Sequence, residues 1–308
     1  MKRKSLNTVF ILIGILLCLM PELKSQSLRK DNDSIDKKSL NTVIYTSAGL
    51  YTATLTVLYF GWYKDTPLTS FHFINDNENF LQIDKVGHAT TAYTFSYYAH
   101  NWLRWAGVNN KESAIYGSLM GFGSMTVIEI LDGFSAEYGA SWGDLLANGF
   151  GSAMFAGQQL LWKDQRFRLK FSYHFTQYAQ YNPNLLGKNN LQRILKDYNG
   201  HTYWLSANIN SFLKYDSKFP KWINVAVGYG GDGIIGVKSN PSEIDGNPIP
   251  HFDRTRQYYV SMDIDWTKID TDSKFLRFMF KTLSFVKLPF PTLEYNKKNN
   301  FVFHWLYF

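Results

Sequence analysis

Four stretches of the chain carry no Asp, Glu, Lys or Arg: residues 39–63, 89–103, 113–128 and 145–161. Short polar connections separate them, and the pattern predicts four helices at about 41–62, 85–106, 112–132 and 142–162. Residues 64–80, rich in Asp, Asn, Thr and Pro, read as a loop. The helices are apolar nearly all round yet diluted by Gly, Ala, Ser, Thr and Tyr. Gly117 and Gly121 are four apart, as are Gly143, Ala147 and Gly151, and again Gly149, Ala153 and Gly157. Small residues at that spacing let backbones approach closely, inside a membrane or in a tightly packed peripheral bundle. Both settings stay open, and only the first stretch reaches the roughly 20 residues of a spanning helix.

After Lys163 the period shortens to two. Phe167, Leu169, Phe171, Tyr173 and Phe175 alternate with Arg168, Lys170, Ser172 and His174. Leu205, Ala207 and Ile209 follow the same rule, as do Val225, Val227 and Tyr229, then Val260, Met262, Ile264 and Trp266. Such segments predict strands with one apolar face. Gly230-Gly231-Asp232-Gly233 reads as a turn, with cation binding the rarer use of such a run. The last segment, 301–308, ends on Phe308 and resembles the insertion signal of outer-membrane β-barrels. Five or six strands are fewer than the eight of the smallest barrels, so a soluble antiparallel sheet is the alternative. Phe275, Leu276, Phe278, Met279, Phe280, Leu283, Phe285 and Val286 recur at helical spacing among Lys274, Arg277, Lys281 and Lys287, which predicts an amphipathic helix at about 273–287. The fold class is therefore α+β: a four-helix, Gly/Ala-rich, membrane-associated bundle at 41–165, followed by an antiparallel β-domain at 166–308 with a small outer-membrane-type barrel as one form it could take.

The N-terminus changes the setting. Met1-Lys2-Arg3-Lys4 is a basic start, residues 9–20 are apolar, Pro21 breaks the run, and Ser25 is small. This is the pattern of a cleaved secretory signal over 1–26, followed by a polar, flexible leader at 27–40. The lone cysteine, Cys18, lies inside it, and Leu17 before it disfavours a lipid-attachment site. A mature chain without thiol excludes disulfides, Cys-bound metals and a Cys nucleophile. Losing four basic residues and one acidic residue lowers the net charge from +7 to +4. That mild excess, with no basic stripe, excludes a nucleic-acid partner. Aromatic residues reach 17% against 19% charged, a balance that suits a lipid headgroup region or a large core.

Charge is scarce in the helical half, so its few polar groups stand out. Asp84 and His88 share a helix face at i and i+4, and Glu129 and Asp132 do so at i and i+3. Lys85 neighbours the first pair, and Ser141, Asp144 and Asn148 open the last helix. Buried carboxylates must find partners or protonate, so convergence of these groups is expected. Each also has a bland role: Asp84 as a helix-start charge, Ser141 with Asp144 as a capping box, and His88 as a bonded core histidine. His100 is read as packing. The sequence has no phosphate loop, no His-Glu-x-x-His and no Gly-x-Ser-x-Gly.

The set Asp84-Lys85-x-x-His88, Glu129-x-x-Asp132, Gly139-x-Ser141-Trp142-x-Asp144 and Gly151 resembles the YfiM-like family of envelope lipoproteins over about residues 80–160. It is more distantly similar to VanZ-like membrane proteins. The resemblance implies a cell-envelope location and carries no reaction with it. The resulting expectation is a non-enzymatic, outer-membrane-associated component facing the periplasm, in contact with lipid and with other envelope proteins. The alternative is an envelope hydrolase or transferase on a lipid-linked substrate, with His88, Glu129, Asp132 and Asp144 as candidate catalytic groups. For a divalent metal, the candidate ligands are Asp84, His88, Glu129, Asp132 and Asp144.

Overall fold

The computed structural model describes residues 35–308, apart from Asp65 and Tyr215. The signal segment and most of the leader, Cys18 included, lie outside the described residues. Helix α1 spans Lys37–Leu58. It starts inside the expected leader because Asp36 caps it, its carboxylate accepting from Lys38 N at 3.1 Å and Ser39 Oγ at 2.5 Å. A π-turn carries it on to Tyr63. Helices α2 (Ile83–Trp105), α3 (Asn110–Gly133) and α4 (Trp142–Trp162) complete the bundle. Asn109 caps α3 by accepting from Glu112 N at 2.9 Å, and Ser141 caps α4 by accepting from Asp144 N at 3.1 Å. Glycines set the packing distance: a Cβ on Gly117 would lie 2.7 Å from His100 N, and one on Gly151 would lie 2.0 Å from Ala89 O. Gly157 faces open space, so its place in the four-residue spacing reflects no contact.

Seven α-helices, not four, occur among the described residues. Beyond the bundle, α5 (Pro183–Leu186) and α6 (Asn190–Lys196) were not expected, whereas the amphipathic α7 (Lys274–Thr282) was. The last is shorter than expected, because residues 285–287 turn extended and bond along β3 (Phe167–Tyr173): Phe171 N donates to Phe285 O at 2.8 Å and Lys287 N to Phe171 O at 3.0 Å. Among the described residues α3, not the first helix, is long and apolar enough to cross a membrane. Ser and Thr dilute α1 too far.

Two short strands, β1 (Phe73–Ile74) in the expected loop and β2 (Ala140–Ser141), pair in parallel and hold that loop against the start of α4. The main sheet contains β3, β4 (His201–Asn208), β5 (Ile223–Asp232), β8 (Thr255–Ile264), β9 (Phe290–Asn296) and β10 (Asn300–Tyr307), while β6 (Glu243–Ile244) and β7 (Asn247–Pro248) form a separate hairpin. All pairs in the sheet are antiparallel, in the order β10-β9-β8-β5-β4-β3. Gly230 and Gly231, expected in a turn, continue β5, and the turn comes at Gly233 with φ 73°. β9 is the strand the sequence hid, since Pro291 interrupts its pattern.

The barrel does not close, because β3 and β10 are edges rather than partners. The sheet is nonetheless strongly curled. Four strand spacings separate β10 from β4, about 19 Å if the sheet were flat. Yet the Tyr307 hydroxyl is 3.1 Å from Thr202 Oγ1 and donates to the Tyr259 hydroxyl at 2.6 Å. The concave face is polar and buried, the convex face apolar. Along β8, Tyr259, Ser261 and Asp263 are buried while Tyr258, Val260 and Met262 are exposed. Register extends the apolar row through Leu205, Val227, Val260, Leu293 and Phe303. Inside, Lys170 Nζ meets Asp263 Oδ2 at 2.6 Å and Arg168 Nε meets Asp265 Oδ2 at 3.3 Å. The bundle packs on the convex face at the β3–β4 end, where Tyr93, Tyr97 and Phe155 lie against Leu169, and the entry to α2 reaches β5, where Tyr229 donates to Leu81 O.

Candidate functional site

The starts of α2 and α4, the end of α3 and one loop meet at the end of the bundle nearest the sheet. The entry to α2 is unusual: Phe80, Leu81 and Gln82 all have positive φ, of 46°, 56° and 64°. Successive left-handed residues with side chains are costly, so tertiary contacts must hold them. Phe80 N donates to Val237 O at 2.9 Å, Tyr229 donates to Leu81 O, and Arg256 donates to Gln82 Oε1 at 2.6 Å. The clamp comes from β5, β8 and the loop between them, and it sets where Asp84, Lys85 and His88 point.

From there the geometry is direct. Lys85 Nζ bridges two carboxylates, Asp76 Oδ1 at 2.7 Å and Asp144 Oδ1 at 3.1 Å. Ser141 donates its hydroxyl to Asp76 at 2.5 Å and its backbone N–H to Glu129 Oε2 at 2.9 Å. His88 Nδ1 lies 3.2 Å from Asn148 Oδ1 and 3.5 Å from Glu129 Oε1, and its Nε2 lies 3.9 Å from Asp84 Oδ1. Ligand atoms of Asp84, His88 and Asp144 all fall within 4.8 Å of one another. Asp132 stands to one side, where Tyr63 donates to its Oδ1 at 2.5 Å. Asp76, Tyr63 and Tyr198, which donates to Asp84, were not singled out in the sequence. Asp76 and Tyr63 came from the loop and the end of the first helix, and Tyr198 from the β half, so no local spacing marked them. His100 is separate: it packs on the Phe155 ring at 5.4 Å.

Burial dominates the electrostatics. It pushes the Asp144 and Glu129 carboxyls up to about 7, and Asp132 up to about 6. Asp76 is instead held below the usual carboxylate range: hydrogen bonds from Asp144, Lys85 and Ser141 overcome its desolvation. Desolvation opposes the charge on His88, but Asp84, Asp144 and Glu129 outweigh it and raise the imidazole. Lys85 is raised in the same way by Asp76 and Asp144. Buried carboxyls near neutrality beside an imidazole can store a proton, pass one or surround a cation.

A second feature adjoins the cluster. A groove of about 460 Å³ lies on the convex sheet face, walled by Val86, Leu169, Leu205, Val227, Val260 and Leu293 among others. Val86 sits two residues before His88, so the apolar groove and the polar cluster share α2.

Residues 72–158 match the family described as predicted periplasmic lipoprotein (DUF2279). The matched segment contains Asp76, Asp84, Lys85, His88, Glu129, Asp132, Ser141, Asp144 and Asn148 and supports an envelope-associated, periplasmic protein. No curated protein and no solved structure matches the chain. The similarity to VanZ-like proteins therefore rests on the motif residues alone.

Proposed function

We propose that the protein is a non-enzymatic component of the cell envelope that seats the convex face of its sheet in a lipid layer. It is exported through a cleaved signal, with the mature N-terminus near 25–27, and resides at the outer membrane facing the periplasm. Its partners are membrane lipid and other envelope proteins, not nucleic acid. The observation that carries this reading is the inverted polarity of the sheet. Ion pairs and amides fill the concave side, while Val227, Val260 and Phe303 are more than half exposed on the convex side. Apolar-out, polar-in alternation is the pattern of strands in lipid and is unfavourable in water. Exposed rings at Phe301, Trp305 and Phe308 extend the same surface.

Flotation of the purified full chain with phosphatidylethanolamine–phosphatidylglycerol vesicles tests this. Replacing Val227 and Val260 together with Lys should cut the floated fraction at least about tenfold, since a lysine on a lipid-facing strand costs about 2–4 kcal/mol at depth. A surface change away from the face, Asn299→Lys, should leave flotation unaltered. Equal flotation of the double variant and the parent would refute the docking face. A second reading, a hydrolase or transferase on a lipid-linked substrate, draws on the nearness of His88 and its carboxylates to the apolar groove. It predicts turnover that disappears in His88→Ala while flotation persists.

A further inference from the structure

We propose that Asp84, His88 and Asp144 form a binding site for one divalent transition-metal ion, with Glu129 and Asn148 orienting the imidazole. The inference is independent of lipid docking. It begins with which imidazole nitrogen is engaged. Nδ1 faces two acceptors, Asn148 Oδ1 at 3.2 Å and Glu129 Oε1 at 3.5 Å, so it carries the proton. That leaves the Nε2 lone pair turned toward Asp84. The 3.9 Å gap from Nε2 to Asp84 Oδ1 is too wide for a hydrogen bond. Two ligands of a tetrahedral ion with bonds of about 2.0–2.2 Å stand about 3.4 Å apart, so a small inward movement would seat the ion. A ligating histidine whose other nitrogen donates to a carboxylate or amide is the usual arrangement around a metal.

A second observation points the same way. Asn148 is fully buried, and its Nδ2 has no hydrogen-bond partner, although its Oδ1 lies against His88. A buried amide donor left unmade costs about 1–3 kcal/mol. The unmet donor belongs to the residue that holds the Nδ1 side of the His88 ring, so the polar pocket around this histidine is left incomplete by the protein alone. The surroundings also carry more acid than base. Asp76, Asp84, Glu129, Asp132 and Asp144 crowd around Lys85 and His88, and Lys85 is already engaged by Asp76 and Asp144. The side chain of Asp84 keeps 24% of its exposure, which gives the ion a way in. One imidazole and two carboxylates suit Zn²⁺ or Mn²⁺ better than a thiol-seeking ion.

The test uses the tag-free full chain in detergent, stripped with chelator and titrated with Zn²⁺ and separately with Mn²⁺. Binding is read by calorimetry and by metal analysis after desalting. One equivalent of metal and a raised melting temperature are expected. Asp84→Asn keeps an acceptor for Tyr198 and should fold, as circular dichroism would verify. It should nevertheless lose the retained metal, and His88→Ala should do the same. Glu129→Gln should weaken binding by about tenfold to a hundredfold, the usual effect of a residue behind a ligand. If His88→Ala does not fold, Asp84→Asn alone decides. Failure of the parent to retain either metal, or unchanged retention in a folded Asp84→Asn, overturns the assignment.

Discussion

The molecule buries two polar networks, and they differ in their balance of charge. In the bundle, five carboxylates face one lysine and one histidine, and burial drives Asp144 and Glu129 up to about 7. Inside the curled sheet, Arg168, Lys170 and Lys287 face Asp263 and Asp265. There burial pushes Lys287 down to about 8, and the ammonium sits over the Trp204 ring at 4.3 Å. In the sheet network each of the two aspartates is paired at short range with a cation from β3, although Asp263 Oδ1 has no hydrogen-bond partner. The bundle network has an excess of acid, an unsatisfied amide and partial exposure at Asp84. The first arrangement suits a structural keel and the second a site, since paired buried charges mainly fix geometry whereas unpaired ones invite a ligand.

The comparison is broken most sharply at Lys170. Lys170→Met leaves Asp263 buried without its closest cation, and the loss should be about 3–5 kcal/mol in denaturant unfolding. A loss below about 1 kcal/mol would mean that water reaches the sheet interior and that the keel reading is wrong.

Next in size is the helix packing that shapes the acidic cluster. In Gly151→Ala the new methyl falls 2.0 Å from Ala89 O, on the helix that carries His88. Overpacking of this kind should cost about 1–3 kcal/mol and disturb metal or proton binding at the cluster. Unaltered melting would show that α2 and α4 are free to separate.

The pH response should differ in sign between the two networks. For Asp144 and Glu129 the folded state holds protons to about 7, above their ordinary carboxylate values, so it binds more protons than the unfolded chain in between. Their stabilising contribution is complete at acid pH and is lost as pH rises through about 7. His88, also raised, acts in the same direction. Lys287 is depressed, so it penalises folding below about 8 and the penalty lifts as pH rises above that value. Urea unfolding should therefore weaken from pH 5 to 7.5, and Glu129→Gln should flatten that slope. A slope unchanged in Glu129→Gln would remove this carboxyl from the account.

The smallest effect is the control. Gly157→Ala adds a methyl to open space in mid-helix and should stabilise by about 0.5–1 kcal/mol. Destabilisation there would indicate a covered surface at the end of α4.

Much of the bundle was legible because its pattern is local. α4 runs over 142–162 as read, and α2 and α3 start two residues before the expected positions. Five sheet strands were legible from alternation, but alternation has two faces and does not say which is inside. Intuition from soluble proteins would bury Val227 and Val260, whereas the structure buries Lys170, Asp263 and Asn224. In the site, Asp84 and His88 were visible at i and i+4, as was the Ser141–Asp144 cap. Asp76, Tyr63 and Tyr198 were not, since Tyr198 meets Asp84 across 114 positions of chain.

The sequence by itself determined the four helices of the bundle, five of the six strands of the main sheet and the identity of the scarce polar groups in the bundle. These follow from spacing along a helix or strand, which is set within a few residues. Only the tertiary structure decided that the sheet curls with its charges inward and that the acids converge on His88. It also decided that three left-handed residues, held by the β half, aim Asp84 and Lys85. Those outcomes depend on contacts between residues tens to hundreds of positions apart, where a buried charge is tolerated only if the whole fold brings it a partner.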